Sequence, residues 1–457
     1  MSQMKLKQGQ MIRLPIRSLG INGEGVGYYQ KQVVFVDEAI PGEYVAVRIT
    51  EVKKKFARGN IQRILKRSSS RVTAPCPVYQ ECGGCQLQHI AYPMQLRLKR
   101  ELVEEAFSRY TGKEGLPIHE TLGMEEPWSY RNKAQLPVQK QQGKVVMGMY
   151  SPSSHRLIDM KGCLVQHPVT DRILDIARRT LADLSIPIYD ERKHLGSIRH
   201  LVVRYGFETK EAQLVLISKE NPLPKEKVLQ QELIRRIPEL VSLVVNHNPQ
   251  RTSLVFGEKS RVLWGQSTMA EQLGDRVFHL SAPAFFQLNP SQTVRLYNEV
   301  MNAAGLTGHE TVVDAYCGTG TIGIWLAQKA AKVIGMDTIA EAVVDARENA
   351  IANGIDHAEY HVGAAEELLP RWADEGFRPD VVVADPPRTG LGNAFIQALI
   401  RTQVARFVYV SCNPSTLAKD CATLVQGGYQ IRTIQPVDMF PQTAQVECCV
   451  LLERVTE

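Results

Sequence analysis

The feature that most constrains the fold lies in the last 177 residues. From residue 281 the chain alternates between continuous apolar runs and helical stretches. The runs are "ETVVDAYC", "AKVIGMD", "PDVVVADPP", "RFVYVSCNP" and "CCVLLERV"; "TIGIWLAQKA" and "EAVVDARENAIANG" fall between several of them. An apolar run without polar alternation is a strand buried on both faces. Strands of that kind separated by helices make an α/β domain, a parallel sheet with helices on both sides. Five such runs predict a doubly covered parallel sheet for residues 281–457.

The rest of the chain does not read this way. Residues 1–66 hold "MIRLPIRSLG", "GVGYYQ", "QVVFVDEAI", "EYVAVRITEV" and "GNIQRIL", short runs rich in Val, Ile and Tyr and broken by turn residues. Five short strands in this length predict a small OB-like β-barrel. Lys53, Lys54, Lys55 and Arg58 fall at one hairpin turn, a phosphate grip. "KRSSSR" reads as a linker. Residues 67–280 read as an α+β domain, with a helix over "AYPMQLRLKRELVEEAFSRY" and strands over "HLVVRYGF", "EAQLVLISK", "LVSLVVNHN" and "TSLVFG".

Charge divides along the same boundaries. Residues 1–70 hold 13 Lys and Arg against 5 Asp and Glu, whereas residues 281–457 hold 12 against 20. A basic front and an acidic back suggest a polyanion gripped by the first part and processed by the last. A set of solvated charged faces is the plainer alternative. No apolar run approaches the roughly 18 residues of a membrane span, and the polar start "MSQMKLKQGQ" has no apolar core of a signal peptide. Nine cysteines, an odd number, argue against a disulfide framework. A cytoplasmic protein with individually assigned thiols is expected.

"VVDAYCGTGTIGIWLA" reads as strand, glycine turn and helix, with Gly318, Gly320 and Gly323 in the G-x-G-x-x-G pattern. Such a turn lets a ligand approach the backbone, and Asp337 at the end of the next strand suits a ribose hydroxyl pair. The pattern admits NAD as readily as S-adenosylmethionine. Asp314, ahead of the turn, favours a cationic ligand and disfavours a pyrophosphate. "ADPPRTG", an acidic residue then Pro-Pro at a strand's end, points to methyltransferases of nucleic-acid bases.

Cys412 ends the strand in "VYVSCNPSTLAKD", where open α/β sheets place their sites. Most free cysteines are small buried hydrophobes, but here Asn413-Pro414 ends the strand and "STLAKD" caps the next helix. A thiolate is a soft nucleophile. Its addition to carbon 6 of uracil makes carbon 5 nucleophilic enough to take a methyl group, after which a base must remove the carbon 5 proton. Glu447 in "TAQVECCV" is the candidate base, with an ordinary surface carboxylate as the alternative. Cys317, Cys421, Cys448 and Cys449 read as core packing. Cys76, Cys82 and Cys85 in "CPVYQECGGC", with Cys163 as a distant fourth, suit zinc or an iron–sulfur cluster. The 3+1 spacing lacks the paired C-x2-C knuckles of structural zinc and favours the cluster.

Taken together and in order, "CPVYQECGGC", Cys163, "APAFFQLNP", "DAYCGTGTIG", "ADPPRTG", "SCNP" and "QVECCV" resemble the RNA uracil-5-methyltransferases of the iron–sulfur branch that acts on 23S ribosomal RNA. The resemblance covers nearly the whole chain, and the N-terminal barrel resembles a TRAM domain. It implies a Rossmann-like class I methyltransferase domain and S-adenosylmethionine as methyl donor. It implies Cys412 as nucleophile and Glu447 as general base. Gln287, Tyr316, Asp337 and Asp385 are implied as S-adenosylmethionine contacts, beside Asp314, Gly318 and Gly320 of the turn. Cys76, Cys82, Cys85 and Cys163 are implied as ligands of a [4Fe–4S] cluster. Many relatives carry Phe where this chain has Tyr316. Relatives acting on transfer RNA typically lack both barrel and cluster, so the resemblance argues for a 23S rRNA uridine in a loop or unstacked region. A monomer with no DNA or membrane partner is expected. A transfer RNA or cytosine-5 enzyme, an exocyclic-amine methyltransferase, and an RNA-binding assembly factor with an idle cofactor domain are the alternatives.

Overall fold

A computed structural model of the chain describes residues 6–152 and 154–455. β1 (Met11–Leu19), β2 (Gly25–Tyr29), β3 (Gln32–Asp37), β4 (Tyr44–Val52) and β5 (Phe56–Lys66) close a barrel in the order β1-β2-β3-β5-β4. Alternation in β1 sends Ile12, Leu14 and Ile16 inward. Lys53, Lys54 and Lys55 stand exposed on the β4–β5 turn. The Arg58 guanidinium lies 5.6 and 5.8 Å from the Phe35 and Phe56 ring centres. The linker after β5 is irregular but anchored, because Arg71 pairs with the fully buried Glu43 carboxylate at 2.7 Å.

α1 (Tyr92–Thr111) follows, beginning with a proline in its first turn. The middle sheet comprises β6 (Lys133–Gln141), β7 (Lys144–Tyr150), β8 (Leu157–Asp159), β9 (Ile198–Tyr205), β10 (Ala212–Ser218), β11 (Leu240–His247) and β12 (Lys259–Gly265), in the order β12-β11-β10-β9-β6-β7-β8. α2 (Pro168–Asp183) and α3 (Glu226–Arg236) cover one face through Ile173, Leu174, Leu229 and Leu233. "TSLVFG", expected as a strand, is instead a bent segment lying on the other face. Its Val255 and Phe256 pack on Val202, Val215 and Val244. Asn246 and Asn248 bond to the carbonyls of Gly257, Leu254 and Val255, so side chains take the place of a strand partner.

β13 (Thr268–Leu273) and β14 (Arg276–Ser281) form a hairpin ahead of α4 (Pro290–Ala304). The last sheet then unfolds in sequence as β15 (Thr311–Ala315), α5 (Thr321–Leu326), β16 (Lys332–Asp337), α6 (Ala340–Ala352), β17 (Ala358–Val362), α7 (Ala365–Asp374), β18 (Val381–Ala384), α8 (Gly392–Thr402), β19 (Arg406–Ser411), α9 (Pro414–Gln426), β20 (Tyr429–Val437) and β21 (Glu447–Arg454). The strand order is β17-β16-β15-β18-β19-β21-β20. β15 to β19 are parallel, as expected, but β21 runs antiparallel to β19 and β20. The nine residues between β20 and β21 form a turn rather than a helical crossover, and a short connection of that kind reverses the chain. Two apolar cores fill the two faces of the sheet. α1 contributes Val103, Ala106 and Phe107 to one, and the β13–β14 hairpin contributes Leu273, Phe278 and Leu280 to the other. Among the described residues, no helix is long and apolar enough to cross a membrane.

Candidate active site

β15 lies between β16 and β18, so the strand order reverses at its carboxyl end, where open α/β sheets bind ligands. Gly320 there has φ +80°, and a Cβ on it would come within 3.0 Å of Ala346 and Tyr360. A Cβ on Gly323 would sit 2.9 Å from the Asp314 carboxylate, which accepts a 2.8 Å bond from the Gly323 amide. Asp314 therefore braces the turn with one oxygen, and its other oxygen is buried without a protein partner. Asp337 accepts from the amides of Gly318 at 3.0 Å and Ile339 at 2.9 Å. Tyr316 holds a left-handed φ of 63°, and its hydroxyl donates to the Leu391 carbonyl at 3.4 Å. Gln287 donates to Asp385 at 3.4 Å. Burial pushes the Asp314 and Asp385 carboxyls up to about 7, and the neighbouring Asp385 and Asp337 charges add to the effect on Asp314. A cluster of carboxylates such as this favours a cation over a pyrophosphate, and a cation would lower the raised values.

Cys412 follows β19 directly and is only partly buried, unlike the four core cysteines 317, 421, 448 and 449. The helix cap is Asn413 itself rather than the residues after it. Its side chain accepts from Ser415 N at 3.1 Å, and Pro414 occupies the first helical turn. The antiparallel register that sets Ser411 against Cys448 carries the next residues, Cys412 and Glu447, to the same end of the sheet. Glu447 is 4% exposed, which removes the surface-carboxylate alternative. Burial, then the nearby Asp385 charge, raises its carboxyl well above the usual range, against a pull from Arg388. Burial pushes the Cys412 thiol up to about 11, helped by the Glu447 and Asp385 charges and opposed by Arg388.

Arg388 is a participant that sequence reading left unassigned. Its signal was its place in "ADPPRTG", three residues after Asp385. Asn413 and Thr416 hold its carbonyl at 3.1 and 3.3 Å, which ties the loop after β18 to the loop after β19. Its cation, beside Cys412, favours the thiolate.

Away from this site, Cys76, Cys82, Cys85 and Cys163 line a pocket together with Arg131 and Gln166. The Arg131 Nε and Gln166 Oε1 atoms are buried there without partners. Burial pushes the thiols of Cys85 and Cys163 up to about 11 and 12. Among the described residues, no three His, Cys, Asp or Glu side chains converge closely enough to hold one metal ion.

The chain matches the family described as tRNA (uracil-5-)-methyltransferase over residues 91–455, and a TRAM domain over residues 5–61. It is 52% identical over 449 residues to an uncharacterized RNA methyltransferase of Halalkalibacterium halodurans, covering 98% of this chain and 97% of that protein. A relative from Listeria innocua, described in the same words, is 49% identical over 457 residues, covering 99% and 100%. The crystal structure of Pyrococcus abyssi tRNA (uracil-54, C5)-methyltransferase in complex with S-adenosyl-L-homocysteine superposes with a TM-score of 0.76 at 28% identity, covering 96% of this chain and 100% of that one. With the class I sheet and its carboxylate-lined switch point, these likenesses establish that the chain belongs to the tRNA (uracil-5-)-methyltransferase family and is an S-adenosylmethionine-dependent RNA uracil-5-methyltransferase.

Proposed function

We propose that the enzyme methylates carbon 5 of one or more uridines in 23S ribosomal RNA, with Cys412 as nucleophile and Glu447 as base. The observation that supports this chemistry is the meeting of a partly buried thiol and a buried carboxylate at one sheet end, beside Asp385 and Arg388. The Cys412 sulfur adds to carbon 6 and breaks the 5,6 double bond, leaving an enolate nucleophilic at carbon 5. Arg388 supports the thiolate as it forms. S-adenosylmethionine, when bound, supplies the electrophilic methyl group. Glu447 then takes the proton from carbon 5, the 5,6 double bond re-forms and the Cys412 thiolate leaves. A carboxyl raised by burial is a stronger base once it has lost its proton, which suits it to an unactivated C–H. Gln287, Tyr316, Asp337 and Asp385, with the Asp314-braced turn at Gly318 and Gly320, would hold the methyl donor.

A flipped uridine costs a few kcal/mol of unstacking, least in loops, and the basic barrel can hold the flanking backbone. The four cysteines lining one pocket support reading it as the seat of a [4Fe–4S] cluster. A single ion would draw its thiolates to about 2.3 Å from one point, whereas a cluster takes one thiolate per iron and keeps its ligands apart. The Arg131 guanidinium, whose Nε is buried without a partner, would offset the negative charge of a four-thiolate group. The residues that would hold it are Cys76, Cys82, Cys85 and Cys163. Addition and elimination need no electron transfer, so its role there would be structural.

A transfer RNA substrate is the second reading. The crystal structure of the Pyrococcus abyssi tRNA enzyme superposes over 96% of this chain, and that shared architecture supports this reading. Labelled methyl transfer onto unmodified 23S rRNA and unmodified transfer RNA, followed by mass mapping of 5-methyluridine, decides between them. The proposal expects label in 23S rRNA at defined uridines, abolished in Cys412→Ala. Label confined to transfer RNA would overturn the substrate assignment, and an active Cys412→Ala would overturn the chemistry.

A further inference from the structure

Glu447 is the first residue of β21, and the loop before it, residues 438–446, is held at many points by distant parts of the chain. Asp438 receives the buried Lys99 ammonium and the Tyr92 hydroxyl, both from α1. The centre of the loop is Gln442, 2% exposed, in a left-handed conformation at φ +71° that a residue other than glycine adopts only under constraint. The constraint is visible. The amides of Gln86 and Leu87 both donate to the Gln442 carbonyl, at 3.0 and 2.9 Å. Gln95 of α1, itself 1% exposed, receives the Gln442 amide at 3.1 Å and donates to the Gln442 side-chain oxygen at 2.9 Å. The Gln86 side chain bridges from the Gly83 carbonyl at 2.9 Å to the Ala444 amide at 3.4 Å.

We propose that Gln86, Gln95 and Gln442 form a clamp whose task is to position Glu447 for the elimination step, and that the clamp joins the four-thiol pocket to the active site. Gly83 and Gln86 stand on either side of Gly84 and Cys85, which line the thiol pocket. Ala444 lies three residues before Glu447. One rigid bridge therefore runs from the cysteine turn through Gln86 and Gln442 to the base. Gln86, Gln95 and Gln442 touch no reacting atom, so they are positioning residues. Their effect falls on the step that Glu447 performs and spares the steps that Cys412 performs. A packing role alone would weaken both together.

This inference rests on the assignment of Glu447 as base, and the test separates the two. Full-length Gln95→Leu, Gln86→Ala and Glu447→Gln variants are compared with the unaltered enzyme for RNA methylation and for covalent enzyme–RNA adduct on denaturing gels. Small displacements of a base cost large factors in rate. Gln95→Leu is therefore expected to lower kcat about tenfold and to raise the steady-state adduct by a similar factor, with KM for RNA within about twofold. Gln86→Ala, which keeps its amide bond to Gln442, is expected to move the same way by about threefold. Because Gln86 is only part-buried, that variant carries the test if Gln95→Leu fails to fold. Turnover and adduct falling together, or both unchanged, in a folded variant would overturn the clamp. Adduct in Glu447→Gln but in neither glutamine variant overturns the clamp alone, whereas no adduct in Glu447→Gln removes the base assignment and the clamp with it.

Discussion

At the residue scale, the chemistry depends on how two groups resist ionisation beside each other. Cys412 sits near Glu447 and Asp385, so its thiolate is disfavoured by burial first and by two carboxylates second. Below its raised value of about 11, each pH unit multiplies the thiolate fraction by about ten. Alkylation of Cys412 in the ligand-free enzyme, followed by peptide mass mapping, should therefore quicken by about tenfold per unit between pH 7 and 9. Asp385→Asn removes a neighbouring anion and should raise the rate at fixed pH. A rate that levels off near pH 7 would mean the thiol is already activated. Cys412 stood out as a candidate in "SCNP" because polar, helix-capping residues follow it at once. Arg388 was not readable, because nothing in sequence spacing says that the loops after β18 and β19 are tied together through its carbonyl.

At the scale of elements, the glycine turn was legible in full: strand, G-x-G-x-x-G, helix. Gly320 needs its freedom twice over, for a positive φ and for the approach of Ala346 and Tyr360. Gly320→Ala is expected to cost about 1–3 kcal/mol through the left-handed conformation and the crowding together. The checks are thermal unfolding and S-adenosylmethionine affinity, and unchanged values for both would refute this account of the turn. The direction of β21 was not legible. An apolar run such as "CCVLLERV" looks the same in either orientation, because burial on both faces erases the period-2 signal. Yet the direction matters most for the site. In a parallel strand the first residue, Glu447, would lie at the edge away from Cys412; the antiparallel register brings the two together. "TSLVFG" misled for a related reason, since β-formers also suit a bent segment whose carbonyls are satisfied by asparagines.

At the scale of the whole molecule, the barrel's closure and its exposed lysine turn follow from short alternating strands, and both were legible. The packing of α1 against the methyltransferase core was hidden, because its contacts lie more than 300 residues away in sequence, as with Lys99 and Asp438. So was the gathering of Cys163 with Cys76, Cys82 and Cys85 around one pocket, which spacing could only allow. The division of labour between a basic front and an acidic catalytic back bears on how a large RNA is held while one base is exposed. In the proposed mechanism the reaction itself rests on Cys412 and Glu447. The most direct measurement is therefore on the enzyme with its RNA bound: nuclease and protease digestion of Glu447→Gln after incubation with S-adenosylmethionine and unmodified RNA, followed by mass spectrometry of the nucleotide-bearing peptide. The account predicts a 5-methyl-5,6-dihydrouridine nucleotide joined through carbon 6 to the Cys412 sulfur. A nucleotide on another residue, or complete turnover with no adduct, would contradict it.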